Sequence, residues 1–455
     1  MDKREIPQEL VVKIEKLSNL GLGIAKVDGY VIFVENSCPE DIVKVRITKK
    51  NKSFAQASIV EIIESSPFRI EPFCKMQKVC GACQLQFIDY NEQLKFKKEI
   101  VEDTMYSIFG DKIEVKDVIP SPQNREYRHK IQYPVSETKD SKRILAGYYQ
   151  TSSHELINIK HCPIQPEYCD KIIEFIRENA PICKVSGYYE KTHKGELRHV
   201  VIRVSAYNSK NLVILVVNSD RLTDGIKKLA EKIYKDLDNI SGVGVNFNNK
   251  KTNLIFGEKT QILFGDDYIE EKLCDRIFKI GAKTFFQVNP KTADNIFNYV
   301  KDYIKSNYKT PTILDAYAGI STFGICLSDV ASMVTTVEEV KESVDLANKI
   351  IKENNINNVE TKCTDAELFF KECLNQGKSF DITVLDPPRK GCTKESLNYA
   401  MKLTRQSIVY VSCNPATLAR DLKYLKEQGA KLGHVQPFDM FPHTYHIENV
   451  VIINL

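Results

Sequence analysis

Several short segments carry side chains able to do chemistry. In SIVYVSCNPATLARDL an apolar run ends at Cys413, directly before Asn414 and Pro415. Those two residue types favour the N-cap and first position of a helix. A thiol there meets the positive end of a helix dipole, which favours thiolate, so Cys413 is a candidate nucleophile. A small buried cysteine without reactivity gives the same pattern. Near the end of the chain, Phe441-Pro-His-Thr-Tyr-His-Ile-Glu448 gathers two imidazoles and a carboxylate ahead of the apolar run NVVIINL. Such a group can supply a proton acceptor, or its histidines can be structural.

TILDAYAG places Asp315 and a tight turn ending in Gly319 after an apolar run. Glu338 follows a second run, where a carboxylate can accept both hydroxyls of a ribose. The full G-x-G-x-x-G fingerprint is missing and acidic groups would repel a pyrophosphate, so S-adenosylmethionine (SAM) fits better than a dinucleotide. An acidic strand end with no ligand is the alternative. Asp386 follows a further apolar run and precedes Pro387-Pro388-Arg389. Two prolines fix an extended loop that can hold this carboxylate at a sheet rim to order cofactor and substrate, or they simply end a strand.

Thirteen cysteines in a chain without a signal-peptide core read as reduced thiols, ligands or catalytic groups. Cys74, Cys80 and Cys83 have the spacing C-x5-C-x2-C, and Cys162 follows in His161-Cys162-Pro163. Four thiolates suit an iron–sulfur cluster or a structural zinc, with Cys169 and Cys183 as rivals for the fourth position and unligated thiols as the alternative. The spacing differs from the C-x3-C-x2-C of radical SAM enzymes. Arg125-Glu-Tyr127-Arg128-His-Lys130 mixes cationic and aromatic side chains suited to phosphate contact and base stacking, or to a solvated strand edge.

The elements that must position these groups fall into three stretches, as expected for 455 residues at roughly 100–200 residues per domain. Residues 1–64 alternate in short β-rich runs separated by turn signals, which predicts a small barrel or sandwich. SSPFRIEPFC marks a boundary near 65, and residues 65–285 read as a mixed, mostly antiparallel α+β domain. From 286 to 455, strand, turn and helix repeat, which predicts a doubly wound α/β sheet with the polar residues at its carboxyl strand ends. The composition is 42% hydrophobic and 27% charged, that of an ordinary globular protein. The net charge of +4 confines any nucleic-acid site to a local patch. Apolar runs such as Leu212 to Val217 fall far short of the roughly 18 residues of a membrane span, so a soluble cytoplasmic protein is expected.

Together these segments resemble the RNA uracil-C5 methyltransferase family, especially the iron–sulfur branch acting on 23S ribosomal RNA. GLGIAKVDGYVIFVENSCPEDIVKVRI looks like a TRAM domain, a small RNA-binding barrel, and CKMQKVCGACQLQ with Cys162 looks like that branch's four-cysteine site. KTFFQVNP, ILDAYAG, DPPRKG, YVSCNP and FPHTYHIE stand in the family's order. The departures are Ala318-Gly-Ile-Ser321 where the family often shows Cys-Gly-x-Gly, and Cys80-Gly-Ala-Cys83 where it shows Cys-Gly-Gly-Cys.

The resemblance implies an α/β protein with an N-terminal OB-like TRAM barrel, a central α+β RNA-binding domain and a C-terminal Rossmann-like class I methyltransferase domain. Residues about 90–120 would pack with the catalytic domain. It also implies a 4Fe–4S cluster on Cys74, Cys80, Cys83 and Cys162, and SAM held by Gln287, Tyr317, Thr322, Glu338, Asp365 and Asp386. Cys413 would add to C6 of uracil, C5 would take the methyl group, and Glu448 would remove the C5 proton, with Asp386 orienting base or cofactor. The expected product is 5-methyluridine in 23S rRNA, made by a monomer that flips its target base and touches no membrane. A tRNA substrate competes, but the tRNA enzymes generally lack the barrel and the cluster, which turns the expectation to ribosomal RNA. A non-catalytic RNA-binding protein and a nicotinamide-dependent oxidoreductase are the alternatives from other classes.

Overall fold

The structure is a computed structural model that describes residues 6–151 and 153–455. It divides into two compact bodies. The first takes in the described residues up to Ser121, Pro388–Gly391 and Ser412–Ile452; the second takes in Pro122–Pro387, Cys392–Val411 and Ile453–Leu455.

The first body begins with a six-stranded sheet in the order Glu9–Lys13, Ile42–Lys50, Phe54–Glu64, Tyr30–Val34, Gly23–Val27, Lys16–Leu17. Period-two alternation builds it: Val43, Val45 and Ile47 are buried with Ala25, Ile32 and Ala55. The intervening Lys44 and Arg46 point outward and pair with Glu9 at 2.9 and 2.7 Å. Register shifts along the pair Ile42–Lys50 and Phe54–Glu64 add the bend that curls a sheet. Gly23 is required by space, since a Cβ there would stand 1.9 Å from Ser37 Oγ. Buried Asp41 then anchors the linker, accepting from the backbone N–H of Cys38 and Ser66 at 2.7 and 2.9 Å and pairing with Arg69 at 2.5 Å.

Helix Tyr90–Phe109 follows, capped by Asp89 and stopped by Gly110 in the left-handed conformation. It packs against helix Pro415–Glu427. The segment after it bridges in parallel to strand Lys431–Phe438 at Val115–Val435 and Ile119–Phe438. A segment from early in the sequence is thus packed with the last elements of the chain.

The second body holds a seven-stranded sheet in the order Lys259–Gly265, Ile240–Phe247, Asn211–Val217, Leu197–Val204, Lys130–Glu137, Ile144–Tyr149, Leu156–Asn158. Only Asn211–Val217 and Ile240–Phe247 run parallel, joined through helix Asp224–Asp236. That helix and Glu167–Ile182 bury Ile226, Leu229, Ile233, Ile172 and Ile176 against Ile131, Tyr133 and Val135. A second sheet in this body is parallel, in the order Val359–Cys363, Met333–Glu338, Thr312–Ala316, Phe380–Leu385, Thr404–Ser412. Its order reverses beside Thr312–Ala316, which makes the carboxyl ends of that strand and Phe380–Leu385 a topological switch point. Among the described residues no helix is long and apolar enough to cross a membrane.

Candidate active site

In the parallel sheet, Ala316 pairs with Val337 on one side and Leu385 on the other. Tyr317 and Asp386, each the first residue beyond its strand, and Glu338, the last residue of its own, therefore form one row at the carboxyl strand ends. The turn that follows is tight: Tyr317, Gly319 and Ser321 have φ of 64°, 56° and 59°. Two of these are not glycine, and such conformations concentrate at ligand sites. Glu338 holds the turn, accepting from Gly319 N–H and Val340 N–H at 2.9 Å each. Ser321 and Thr336 share a hydroxyl contact of 2.7 Å. Asp315 accepts from Gly324 N–H at 2.9 Å.

Burial pushes the Asp315 carboxyl up to about 8, with the negative charges of Asp386 and Glu338 adding to the effect and the Gly324 bond opposing it. Burial pushes Asp386 up to about 7. The Tyr317 hydroxyl is pushed up by burial and by Cys392 beside it. Thr322 starts helix Thr322–Leu327, and Asp365 is exposed at the N-cap of helix Ala366–Asn375, accepting from Leu368 N–H at 3.0 Å. Gln287 is half-buried two residues before Asn289, the N-cap of helix Pro290–Asn307. Its neighbour Val288 accepts from His129 N–H at 2.7 Å, which fixes this entry to the helix.

Cys413 is half-buried in the first body, immediately after strand Thr404–Ser412 and before helix Pro415–Glu427. Asn414 caps that helix by accepting from Ala416 N–H at 3.1 Å and donates Nδ2 to the Arg389 carbonyl at 3.2 Å. Arg420 donates to the Lys390 carbonyl at 2.9 Å, so the loop 388–391 is bound to the same helix. Glu448 is buried at the start of strand Glu448–Asn454. Its neighbour Asn449 donates to the Ser412 carbonyl at 3.3 Å. The segments carrying Cys413 and Glu448 are thereby tied together.

The loop leading to Glu448 is fixed by side chains that sequence reasoning missed. Lys97 pairs with Asp439 at 2.5 Å, both fully buried, and donates to the Phe441 carbonyl at 3.1 Å. Burial lowers the Lys97 ammonium from its ordinary range, although Asp439 opposes this. Tyr90 donates to Asp439 at 2.9 Å. Gln93 accepts from His443 N–H at 3.1 Å and meets its Nδ1 at 3.2 Å. His443, with φ of 65°, is thus a structural part of the loop. The available signal was Lys97 itself, which falls at helical spacing among Gln93, Ile100 and Val101 on the buried face.

Cys74 and Cys80 are half-buried and Cys83 is buried in the first body, while Cys162 is buried in the second. Among the described residues no group of three or more His, Cys, Asp or Glu is placed to hold a metal ion. The rivals Cys169 and Cys183 belong to the apolar core of the second body. The basic and aromatic segment differs from expectation at Tyr127, which is only 2% exposed and offers no face for stacking.

Residues 89–455 match the family model of tRNA (uracil-5-)-methyltransferase, well over half of the chain. The chain belongs to this family. Residues 3–60 match the TRAM domain. Uncharacterized RNA methyltransferases of Halalkalibacterium halodurans and Clostridium tetani are each 37% identical to it, over 100% and 97% of this chain and 100% and 95% of theirs. Among solved structures, the Pyrococcus abyssi tRNA (uracil-54, C5)-methyltransferase in complex with S-adenosyl-L-homocysteine superposes with a TM-score of 0.79. It is 26% identical and covers 98% of this chain and 100% of its own.

Proposed function

We propose that this protein transfers the methyl group of SAM to C5 of a uridine in 23S rRNA. The observation that carries the chemistry is the pairing in the first body of a thiol at a helix N-terminus with a buried carboxylate one residue from the Asn449–Ser412 tie. The second body supplies a crevice suited to a sulfonium nucleoside. Glu338 has lone pairs left for ribose hydroxyls. Asp315 and Asp386, held at about 8 and about 7 by burial, gain from a neighbouring positive charge. Gln287, Tyr317, Thr322 and Asp365 would complete the site. When bound, SAM supplies the methyl electrophile.

C5 of uracil is too weak a nucleophile to take that methyl group unaided. The Cys413 thiolate adds to C6 and moves the electron pair toward O4, so C5 becomes enolate-like and can form the new carbon–carbon bond. Glu448 then removes the C5 proton, and the returning electron pair expels the thiolate and restores the ring. Asp386 orients base or cofactor.

The substrate has a second reading. The Pyrococcus enzyme named for tRNA covers 98% of this chain, so a layout that includes the TRAM region does not separate rRNA from tRNA enzymes. The preference for 23S rRNA rests on the cysteine spacing. Thiolate donors of the right type are present for a 4Fe–4S cluster at Cys74, Cys80, Cys83 and Cys162, but their arrangement supplies no step of the reaction. Iron and acid-labile sulfide measured on anaerobically purified protein test the cluster; stoichiometric zinc without iron overturns it.

Labelled methyl transfer from SAM to unmodified 23S rRNA and to tRNA, followed by nucleoside analysis, tests the whole proposal. 5-Methyluridine in 23S rRNA with wild type, and none with Cys413→Ala, is expected. Label confined to tRNA overturns the substrate and keeps the chemistry.

A further inference from the structure

The antiparallel sheet of the second body has two unlike faces. Ile131, Tyr133 and Val135 turn toward the helices, whereas Gln132, Pro134 and Ser136 line a cavity of about 1220 Å³ on the other side. That exceeds the roughly 300–1,000 Å³ of small-molecule sites and suits a segment of polymer. We propose that this cavity binds an unpaired stretch of the RNA substrate, with bases stacked on Tyr149 and Tyr189, a base edge at His199 and phosphates at a lysine rim. The inference rests on the reading of this chain as an RNA methyltransferase.

Tyr148, Tyr149, Tyr188 and Tyr189 line the cavity, and Tyr149 and Tyr189 are each 36% exposed. Aromatic faces on an open sheet are a recurrent platform for unpaired bases, tolerant of sequence because every base has a π-face. Tyr149 already lies against the His154 ring at 5.3 Å with 32° between planes. His199 Nδ1 is buried and has no hydrogen-bond partner among the described residues. Burial and nearby Arg198 push this ring down to about 4, so it stays neutral and can pair with the polar edge of a base. An unmet buried polar atom of this kind calls for a partner.

Arg198 does not serve as a phosphate ligand. Its guanidinium is buried, donates to the carbonyls of Asn248, Lys250 and Thr252 at 2.6, 2.8 and 3.3 Å, and lies 4.7 Å from the Tyr188 ring. It stiffens the wall and fixes the loop that carries Lys251. Lys139, Lys191 and Lys251 are exposed at the rim and form no ion pair among the described residues. Of the carboxylates, Glu137 is engaged by Gly187 N–H and Lys142, at 3.1 and 2.9 Å, and Glu190 by His154 at 3.2 Å. Glu155 is exposed. With Glu137 neutralised by Lys142, the three lysines face the charges of Glu155 and Glu190, and the small positive excess at the rim suits a polyanion.

Full-length protein titrated with a fluorescein-labelled single-stranded oligouridylate, and with an RNA duplex of equal length, tests the site. The Tyr149→Ala, Tyr189→Ala double variant is expected to weaken single-strand binding about tenfold or more, with little change for the duplex. Tyr149→Phe with Tyr189→Phe restores it, because stacking needs no hydroxyl. Replacing the three lysines by Ala lowers the slope of log K against log salt by about 2. In methyl transfer the same variants raise KM for RNA far more than they lower kcat. Wild-type affinity and wild-type KM in the alanine variants, with wild type methylating RNA, overturn the cavity site and leave the enzymatic reading intact. If wild type methylates no uridine, that reading fails and the oligouridylate titration alone decides: tyrosine-dependent binding supports the site, and indifference overturns it.

Discussion

Glu338 closes on the cofactor turn through a bond to Gly319, 19 residues away, and Asp315 through one to Gly324, 9 residues away. The loop leading to Glu448 is held by Lys97, 342 residues from Asp439, and by Gln93, 350 residues from His443. One part of the machinery is thus built from its own stretch of chain, with backbone amides and carboxylates as the material. The other borrows long polar side chains from a distant helix. The local part tolerates changes elsewhere, whereas the borrowed part fails if either lender or borrower is altered.

Changes at the borrowed loop should have the larger effects. Glu448→Gln is expected to slow turnover by about 10²–10⁴-fold. It should also trap Cys413 on the RNA, visible as a slow-migrating band on a denaturing gel; full turnover in this variant would remove Glu448 as the base. Next comes Lys97→Met, which leaves the buried Asp439 without its counter-charge and with only the Tyr90 hydroxyl beside it, and should cost about 3–5 kcal/mol of stability. Denaturant unfolding measures the loss, and the Lys97→Met, Asp439→Leu pair should recover much of it. An unchanged single variant would show that the loop holds itself.

The local part is probed by pH. Asp315 and Asp386 have folded pKa values of about 8 and about 7 against an ordinary 3.8, so the folded protein binds more protons than the unfolded one between those limits. Their contribution to stability is complete below the ordinary value and is lost as pH rises through about 7 to 8. A bound sulfonium reverses this by favouring the carboxylates. Calorimetry in buffers of different ionisation enthalpy should show proton release on binding SAM, less on binding S-adenosylhomocysteine, which lacks the sulfonium charge, and a reduced release in Asp386→Asn. Equal release by both ligands would break the electrostatic account of the crevice. The smallest effect is expected from Gly319→Ala. A Cβ there meets nothing within 4 Å, so only the φ of 56° opposes it, at about 1 kcal/mol in thermal unfolding.

The same contrast decides what was legible in the sequence. Period-two alternation in DIVKVRITK and the run before Asp315 report on neighbours within a few residues, and they suffice for the barrel strands and for the strand–turn–helix units. Asn414 and Pro415 announce the helix after Cys413 in the same local way. Lys97 could not be assigned a task, because a charged residue on a helix face reads as solvated until its partner arrives from the far end of the chain. Tyr127 misled for the converse reason: its neighbours in sequence are cationic, but its surroundings in space are protein. The open face of the central sheet was equally hidden, since alternation tells which residues share a face and not which face the helices cover.

Lys423 reaches the Ile108 carbonyl across 315 residues, within the same packing of helix Tyr90–Phe109 on helix Pro415–Glu427. During synthesis at roughly 5–20 residues per second, the earlier helix therefore waits roughly 15–60 s for its partner. Throughout that interval the face of this helix that meets Pro415–Glu427 lacks its cover, whereas Phe96 and Ile100 pack with Leu17, Leu85, Phe87 and Ile88 from earlier in the chain. The nascent chain carries an adhesive surface for most of its time on the ribosome, which makes this helix the segment for a chaperone to shield and the first place where slowed or truncated synthesis would lead to aggregation.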